Sequence, residues 1–396
     1  MTNTTGIDLR ELGEVFLADP YPILAELRGK GPVHRVRLGS QPEWLVVGYD
    51  AARTVLNHPA VRMSFWPDST PAGLLTSEVG PQVSEVDPPQ HTRLRKLVSR
   101  SFTAHRIAGL APRIQQNTDE LVDRLLGAGG GDLVQEFAVP LPVTVISELL
   151  GVDDLDMPAF REASMEVLGW TTDEQMYREA LRRLAGQITT LIGAKRDRPG
   201  DDLLSNLVQT TDNDGDRLSP EELRGMAFAL LIAGYETTAS LIANGVLALL
   251  THPDQLAALR SDWSLLGSAV DEMLRWSGPV ATATARYTHG TVEVGDVVIP
   301  GGAQLVTVSL ASANRDEARF PDGERFDIRR PPSGHIAFGH GIHYCLGSSL
   351  GILEAKTALR TLLERSPGLA LDIDPHQVRW RPRPLGRALV DLPVRT

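Results

Sequence analysis

The most informative part of the sequence is Phe338-Gly339-His340-Gly341-Ile342-His343-Tyr344-Cys345-Leu346-Gly347, which holds the only cysteine among 396 residues. A lone thiol cannot form an internal disulfide bond, so Cys345 is a small core residue, a reactive nucleophile or a metal ligand. Three glycines within the stretch let the backbone turn tightly and lie close to a large flat group. They favour a ligand over the core residue that a single cysteine more often is.

This pattern, Phe-Gly-x-Gly-x-His-x-Cys-x-Gly, resembles the haem-binding loop of the cytochrome P450 family, the haem-thiolate monooxygenases. The resemblance implies haem b as the cofactor, with the thiolate of Cys345 as its axial iron ligand. It also implies that Phe338 shields the sulfur from water and that backbone N–H groups help to hold the sulfur as an anion. Gly339, His343 and Gly347 would bind the cofactor with them.

The composition is that of an ordinary soluble chain. Of its residues 42% are hydrophobic and 22% are charged, and no change in composition marks a linker, so we expect one domain over residues 1–396. A net charge of −11 disfavours nucleic acid and a membrane surface as partners. The polar N-terminal segment and the cysteine content predict a cytoplasmic protein, which we expect to be a monomer.

Positive charge is concentrated in one part of this acidic chain. Residues 88–118 contain no Asp or Glu, and six Lys and Arg side chains fall there: Arg93, Arg95, Lys96, Arg100, Arg106 and Arg113. The stretch is either a solvated helix face or a docking surface for an acidic electron-transfer protein, since complementary charge speeds association. The sequence leaves both interpretations open.

The N-terminal quarter combines strands and short helices. Residues 34–38 and 44–47 are two short runs separated by turn residues, which predicts a hairpin. Asp50 is expected to cap a short helix. Residues 63–90 are rich in Pro, Ser and Gly and predict a long loop.

The remainder of the chain predicts a mostly helical fold. The pattern is helical over most of residues 91–250, and short strands are expected at 292–298, at 304–308 and near the C-terminus. This agrees with the fold that the resemblance implies. That fold is mainly α and single-domain, with small peripheral β-sheets and haem buried against a long central helix.

The best-defined helix begins at Ser219-Pro220-Glu221-Glu222, a capping box with proline at the first helical position. The sequence then stays apolar to Leu250, which makes about 43 Å of helix, so a transmembrane span is the alternative. Glu236 lies in the middle of this run, where an acid inside a bilayer would cost about 3 kcal/mol. A buried central helix with a site at Glu236 is therefore expected.

That helix carries Ala233-Gly234-Tyr235-Glu236-Thr237-Thr238. Gly234 leaves room for something to lie against the helix, and a threonine hydroxyl can donate to the carbonyl of Ala233 one turn earlier. The stretch is similar to the oxygen-activation motif of the family. By that resemblance Thr237 assists oxygen activation, Glu236 relays protons, and Ala233 and Thr237 lie against the cofactor.

The segment Glu272-Met273-Leu274-Arg275 places two opposite charges on one helical face. Such pairs are usually worth little on a surface. In the family the Glu-x-x-Arg pair is buried and ties its helix to the segment before the haem loop, so Glu272 and Arg275 are expected to be structural. Arg325 or Arg329 would be the third partner, and the sequence does not choose between them.

Burial of the two haem propionates requires positive partners. His91 and Arg95 lie one helical turn apart, Arg286 follows the Glu-x-x-Arg helix, and His343 precedes Cys345 by two residues. All four match positions that bind propionates in the family, so the resemblance implies that role for them.

The resemblance covers most of the chain and implies a bacterial monooxygenase, most like actinobacterial enzymes that hydroxylate or epoxidise macrolides and related polyketides. Such an enzyme uses O2 and two electrons from a ferredoxin and an NAD(P)H-dependent reductase. One alternative is a haem-thiolate enzyme that uses hydrogen peroxide directly or couples rings. The other is a haem-binding sensor or carrier without catalysis. The Glu236–Thr237 pair favours ordinary oxygen activation over both.

The side chains expected over the haem are small, which predicts a bulky, mostly apolar secondary metabolite as substrate. The candidate substrate contacts are Trp66, Ala229, Ile232, Ala233, Val280, Ala281 and Leu385. Three loop acids, Asp68, Glu78 and Glu85, either meet an amino sugar or are simply solvated. We prefer the second interpretation of these acids.

Overall fold

Helices and small sheets surround one long helix in the computed structural model. It describes residues 7–9, 16, 18–37, 42–63, 71–100, 102–152, 157–168, 173–209, 217–331, 334–381 and 386–396. The helices are α1 (Tyr21–Lys30), α2 (Tyr49–Leu56), α3 (Pro71–Val79), α4 (Gln90–Ser99), α5 (Ala104–Gly109), α6 (Ala111–Gly127), α7 (Pro140–Leu150), α8 (Met157–Leu168), α9 (Glu174–Asp197), α10 (Leu203–Gln209), α11 (Pro220–Thr251), α12 (Pro253–Ser261), α13 (Leu266–Ser277), α14 (Leu310–Ala313) and α15 (Ser348–Arg365). The strands are β1 (Ile7–Asp8), β2 (Val33–Arg37), β3 (Pro42–Val46), β4 (Val61–Arg62), β5 (Gly130–Asp132), β6 (Arg286–Thr288), β7 (Val292–Val294), β8 (Val297–Ile299), β9 (Leu305–Val308), β10 (Ala370–Leu371) and β11 (Pro393–Arg395).

The long helix α11 forms the centre of the fold. Its predicted capping box is present: Glu222 N donates to Ser219 Oγ at 3.2 Å, and Ser219 N donates to Glu222 Oε2 at 3.0 Å. Helices α7, α13 and α15 pack against it. Among the described residues α11 is the one helix long and apolar enough to cross a membrane, but 67% of its most apolar window is buried inside the protein. It is therefore a core helix, as the position of Glu236 in the middle of the apolar run predicted.

Small sheets lie at the periphery of the helical core. The larger one has the order β1-β2-β3-β9-β6-β4. Its β2 and β3 form the predicted hairpin, with Val33 opposite Val46, and β3 runs parallel to β9. A second sheet has the order β10-β11-β5, and β7 pairs with β8. The prediction of a mainly α fold with small sheets is confirmed.

Two local predictions are wrong. Asp50 does not cap α2, because Gly48 is the N-cap residue and the first helical N–H, that of Tyr49, donates to Asp316 Oδ2 at 2.8 Å. The predicted loop at 63–90 contains α3, which buries Leu74 and Val79 in the helical core. In both places a contact distant in the sequence supplies what the local pattern lacks.

Glu354 on α15 is 1% exposed, and its Oε2 atom has no hydrogen-bond partner. Burial raises the pKa of this carboxyl to about 8. It is therefore protonated in the folded protein at neutral pH, whereas an unfolded chain would ionise it at about pH 4. Folding stability associated with Glu354 is present at low pH and is lost as the pH rises toward 8.

We expect Glu354→Gln to remove this loss. Between about pH 6 and pH 8 the wild-type free energy of unfolding should fall by up to about 1.4 kcal/mol per pH unit relative to the variant. Urea titrations at several pH values measure the difference. The matched control is Glu364→Gln, an exposed glutamate on the same helix. An identical pH dependence in wild type and Glu354→Gln would contradict the assignment.

Candidate active site

The stretch from Phe338 to Gly347, called the cysteine loop below, leads directly into helix α15. Asn314 Oδ1 accepts a hydrogen bond from Ile336 N at 2.8 Å and fixes the start of the loop. Gly339 and Gly341 have a φ of +77°, a conformation that residues with a side chain rarely adopt. Cys345 N then donates to Phe338 O at 2.9 Å and closes the loop. The glycines therefore serve the tight turn that the sequence predicted.

Cys345 has exposed surface, although protein surrounds its sulfur closely enough to desolvate it, so the residue lies in a recess. Burial raises the pKa of the thiol, while the backbone N–H groups of Gly347 and Ser348 and the charge of Arg95 act in the opposite direction. The balance favours the thiol in the protein alone. A cation bound at the sulfur would convert it to the thiolate, which is the form that ligates metals.

The middle of α11 presents a face that its neighbours do not cover. Ala233 is exposed and Thr237 is half-buried, on a helix that is otherwise largely buried. Thr237 Oγ1 donates to Ala233 O at 2.8 Å, so the predicted back-bond is present. Gly234 leaves room for a neighbour against the helix, as predicted, since a Cβ there would lie 2.7 Å from Cδ1 of Ile146. The neighbour is therefore α7.

Three of the predicted basic residues come together beside Asp87, which attracts each of them electrostatically. The rings of His91 and His343 have centroids 4.4 Å apart, and His91 Nε2 and His343 Nδ1 are buried without hydrogen-bond partners. Burial, together with the charges of His91 and Arg286, lowers the pKa of His343 to about 4. Arg286 is 4% exposed, and burial lowers its pKa to about 10. The fourth, Arg95, is close enough to Cys345 to interact with its charge.

These groups fit haem. The buried imidazole nitrogens lack hydrogen-bond partners and the guanidinium of Arg286 is desolvated, and a propionate carboxylate would accept hydrogen bonds from such groups and add negative charge beside the arginine. Cys345 and Ala233 both have exposed surface that no other part of the described protein covers, as contact with a large flat ligand requires. Within the described part of the chain no group of three or more His, Cys, Asp or Glu side chains could hold a metal ion. A single protein ligand suits an iron whose other ligands come from the porphyrin.

Glu236 lines a small cavity of about 40 Å³ that is partly open to solvent. Arg161 on α8 and Arg381 near the C-terminus line it too, together with Tyr235. Such a volume holds about one water molecule. The cavity therefore offers room for water beside Glu236, the residue that precedes Thr237 in the sequence. Neither arginine could be predicted, because both are distant from α11 in the sequence.

Glu272 and Arg275 form a buried pair, as expected. Arg275 Nε donates to Glu272 Oε2 at 2.7 Å, and Arg275 Nη2 donates to Glu272 Oε1 at 2.8 Å. The third partner is Arg330, whose Nε lies 3.3 Å from Glu272 Oε2. The prediction that Arg325 or Arg329 would be the third partner is therefore wrong. Arg325 takes part only through its backbone carbonyl, which accepts from Arg275 Nη2 at 2.9 Å, and Arg329 N donates to Asp327 Oδ1.

The predicted substrate contacts lie in different surroundings. Ala229, Val280 and Ala281 are partly exposed, whereas Ile232 is 8% exposed and packs in the helical core, off the face that carries Ala233. Trp66 and Leu385 lie outside the described residues.

The loop acids do not fit the preferred interpretation as solvated side chains. Glu78 forms ion pairs with Arg178 and Arg182 on α9. Glu85 is half-buried, its Oε2 atom has no partner, and burial raises the pKa of this carboxyl to about 7. Asp68 lies outside the described residues.

The basic stretch at 88–118 is not a uniform positive surface. Three of its arginines, Arg93, Arg106 and Arg113, pair with acids of other segments. Lys96 and Arg100 are exposed on α4 and just after it. The part of the stretch that could meet an acidic partner is therefore smaller than the sequence indicated.

Comparisons with known proteins agree with this site. The family model described as Cytochrome P450 matches residues 12–132 and 146–367. The chain is 51% identical to cytochrome P450 monooxygenase PikC of Streptomyces venezuelae, over 98% of this chain and 94% of that one. It is 43% identical to 6-deoxyerythronolide B hydroxylase of Saccharopolyspora erythraea, over 99% of both chains.

The fold is similar to that of a solved enzyme. The tirandamycin C-bound P450 monooxygenase TamI superposes with a TM-score of 0.89 at 40% identity, covering 98% of this chain and 99% of that one. The long alignments include the cysteine loop and the central helix. The chain therefore belongs to the cytochrome P450 family and is a haem-thiolate oxidoreductase of the monooxygenase type.

Proposed function

We propose that the chain hydroxylates or epoxidises a bulky, mostly apolar polyketide of the macrolide type. It would use O2 and two electrons from a ferredoxin and its NAD(P)H-dependent reductase. The observation that supports this is the exposure, inside the protein, of Cys345 on its loop and Ala233 on α11, beside a threonine and a glutamate. The proposal includes haem b, one catalytic domain over residues 1–396, a monomer and a cytoplasmic location.

When bound, haem supplies the iron at which O2 is activated and electrons are received. Cys345 would be its thiolate ligand, and His91, Arg95, Arg286 and His343 would hold its propionates. Phe338 would cover the sulfur, since its side chain packs against the helical core next to the loop.

Protons would enter through the cavity beside Glu236. Its carboxylate would take a proton from water in this cavity, which Arg161 and Arg381 also line, and pass it toward the hydroxyl of Thr237. The hydroxyl hydrogen of Thr237 already points to Ala233 O, so the lone pairs of Oγ1 remain available as acceptors. Positioned proton transfer of this kind typically contributes a factor of about 10² to 10⁴.

The substrate class is supported by small side chains and by relatives. Ala229, Ala233 and Ala281 leave room where larger residues would fill the space over the haem. One relative is named for hydroxylation of 6-deoxyerythronolide B, and the solved neighbour holds tirandamycin C. Glu85 adds a polar feature, since its poorly solvated carboxyl near Tyr177 would pair with an amine on the substrate.

The test is reconstitution with a ferredoxin, its reductase, NAD(P)H and a panel of macrolides and polyketides with and without an amino group. We expect ferredoxin-dependent product in the wild type. Thr237→Ala should still consume NAD(P)H but should reduce O2 with two electrons and two protons to hydrogen peroxide, lowering product by about 10²-fold.

The matched control for this experiment is Thr238→Ser, a conservative change at the next, buried position, which should keep the product yield. Measurements of product and peroxide per NAD(P)H consumed separate the two variants. Product formation from hydrogen peroxide alone, with none from the ferredoxin system, would instead establish the peroxygenase alternative.

A further inference from the structure

Two segments that are distant in the sequence meet beside the central helix. The first follows α13 and leads from Pro279 toward β6, and the second contains Gly386 and Arg387. Val280 and Gly386 form an antiparallel bridge, and Arg387 N donates to Pro279 O at 2.9 Å. The two segments are therefore joined directly by backbone hydrogen bonds.

Asn244 of α11 joins this unit to the helix. Its side chain is 2% exposed. Its Nδ2 atom donates to Ser277 O at 3.3 Å and to Arg387 O at 3.0 Å. Ser277 is the last residue of α13, two residues before the first segment begins, and Arg387 belongs to the second segment. Asn244 lies seven residues after Thr237, which is about 10 Å along the helix axis. A single amide thus links the segments to the same rigid helix that carries the reacting groups.

The chemistry of an amide suits this position. Two hydrogens on one nitrogen can satisfy two carbonyls at once, which a hydroxyl, a carboxylate or a methyl group cannot do. The cost is visible at the other end of the side chain, where the buried Oδ1 atom has no hydrogen-bond partner. If the side chain served only to fill space, leucine would stabilise the fold better, because it has no polar atom to bury.

The first segment continues directly into the active site. It ends at Arg286, whose Nη1 donates to Thr284 O at 2.6 Å. Arg286 is one of the basic residues that lie beside Asp87 and are proposed to hold a propionate. Ala281, a candidate substrate contact, lies between Val280 and Thr284. A shift of the backbone at Ser277, where α13 leads into this segment, would therefore move the side chains that are proposed to border the substrate.

We infer that Asn244 is a positioning residue that determines substrate size and site of oxidation by fixing both segments to α11. This rests on the proposed function, because it assumes that the segments border the substrate. Asn244 itself touches neither the substrate nor the reacting atoms. Its contribution acts through the backbone at Ser277 and Arg387.

The test uses two variants, Asn244→Leu and the milder Asn244→Ser, in the haem-loaded protein. Hydrogen–deuterium exchange should speed up about tenfold or more at the amide of Arg387 and in residues 280–284, because the anchored backbone opens more often. The control is Gln255→Leu, another buried amide, whose Oε1 accepts from Ile328 N at 3.0 Å on a different segment. It should leave both regions unchanged.

Azole ligands of the iron provide the second readout. Imidazole reaches only the iron, whereas 4-phenylimidazole also fills the space over the haem. In the Asn244 variants the affinity for 4-phenylimidazole should change about tenfold, while that for imidazole stays within about twofold. Equal changes for both azoles, or none, would overturn the inference. If the wild-type protein showed neither azole binding to its iron nor the spectrum of a thiolate-ligated haem, the proposed function would be contradicted instead. The exchange experiment would still decide whether Asn244 anchors the two segments.

Discussion

Cys345→Ser should abolish product formation and remove the Soret band at about 450 nm that the reduced, carbon-monoxide-treated wild type is expected to show. The loop would keep its shape, because the backbone bond from residue 345 to Phe338 O and the positive φ angles of Gly339 and Gly341 do not depend on sulfur. A serine hydroxyl, however, is a far weaker ligand than a thiolate and would not supply the same electron density to the iron.

The control for this prediction is Tyr344→Phe. Tyr344 is the exposed neighbour of Cys345, so removal of its hydroxyl should leave both the spectrum and the activity intact. Thermal unfolding of each apo protein separates a folding defect from a loss of ligation. A Cys345→Ser variant that retains the band at about 450 nm would show that another group ligates the iron.

The fold followed from the sequence wherever the signal was local. The capping box at Ser219, the apolar run of α11 and the hairpin of β2 and β3 depend on neighbouring residues, and the structure contains all three. The predictions failed at Asp50 and at α3, where Asp316 and the helical core provide the decisive contacts. Such contacts leave no trace in a short window of sequence.

The site shows the same division. The cysteine loop and the threonine back-bond were recognisable because their residues are adjacent or one helical turn apart. Arg381 and Asn244 were not, since their significance comes only from segments that folding brings together. Arg330 was missed for a smaller reason, as it lies next to Arg329, one of the two candidates, and the turn after Asp327 decides which side chain reaches Glu272.

Glu272→Ala should cost about 3–5 kcal/mol of folding stability and leave little folded haem protein. The carboxylate is 1% exposed and is shared by Arg275 and Arg330. It also accepts from Asp327 N at 2.9 Å, which ties α13 to the segment before the cysteine loop. Its loss would leave the buried guanidinium of Arg275 without a counterion.

Replacement of both partners by apolar residues, which often rescues a buried ion pair, should fail here. Arg275 also donates to the carbonyls of Asn314, Gly323 and Arg325, and these acceptors would lose their partner. The matched control is Glu364→Gln, which breaks the exposed pair with Arg360 and should cost no more than about 0.5 kcal/mol. Urea midpoints and the yield of carbon-monoxide-binding protein measure these differences. A Glu272→Ala protein as stable as the Glu364→Gln control would show that the buried pair does not hold α13 to the loop.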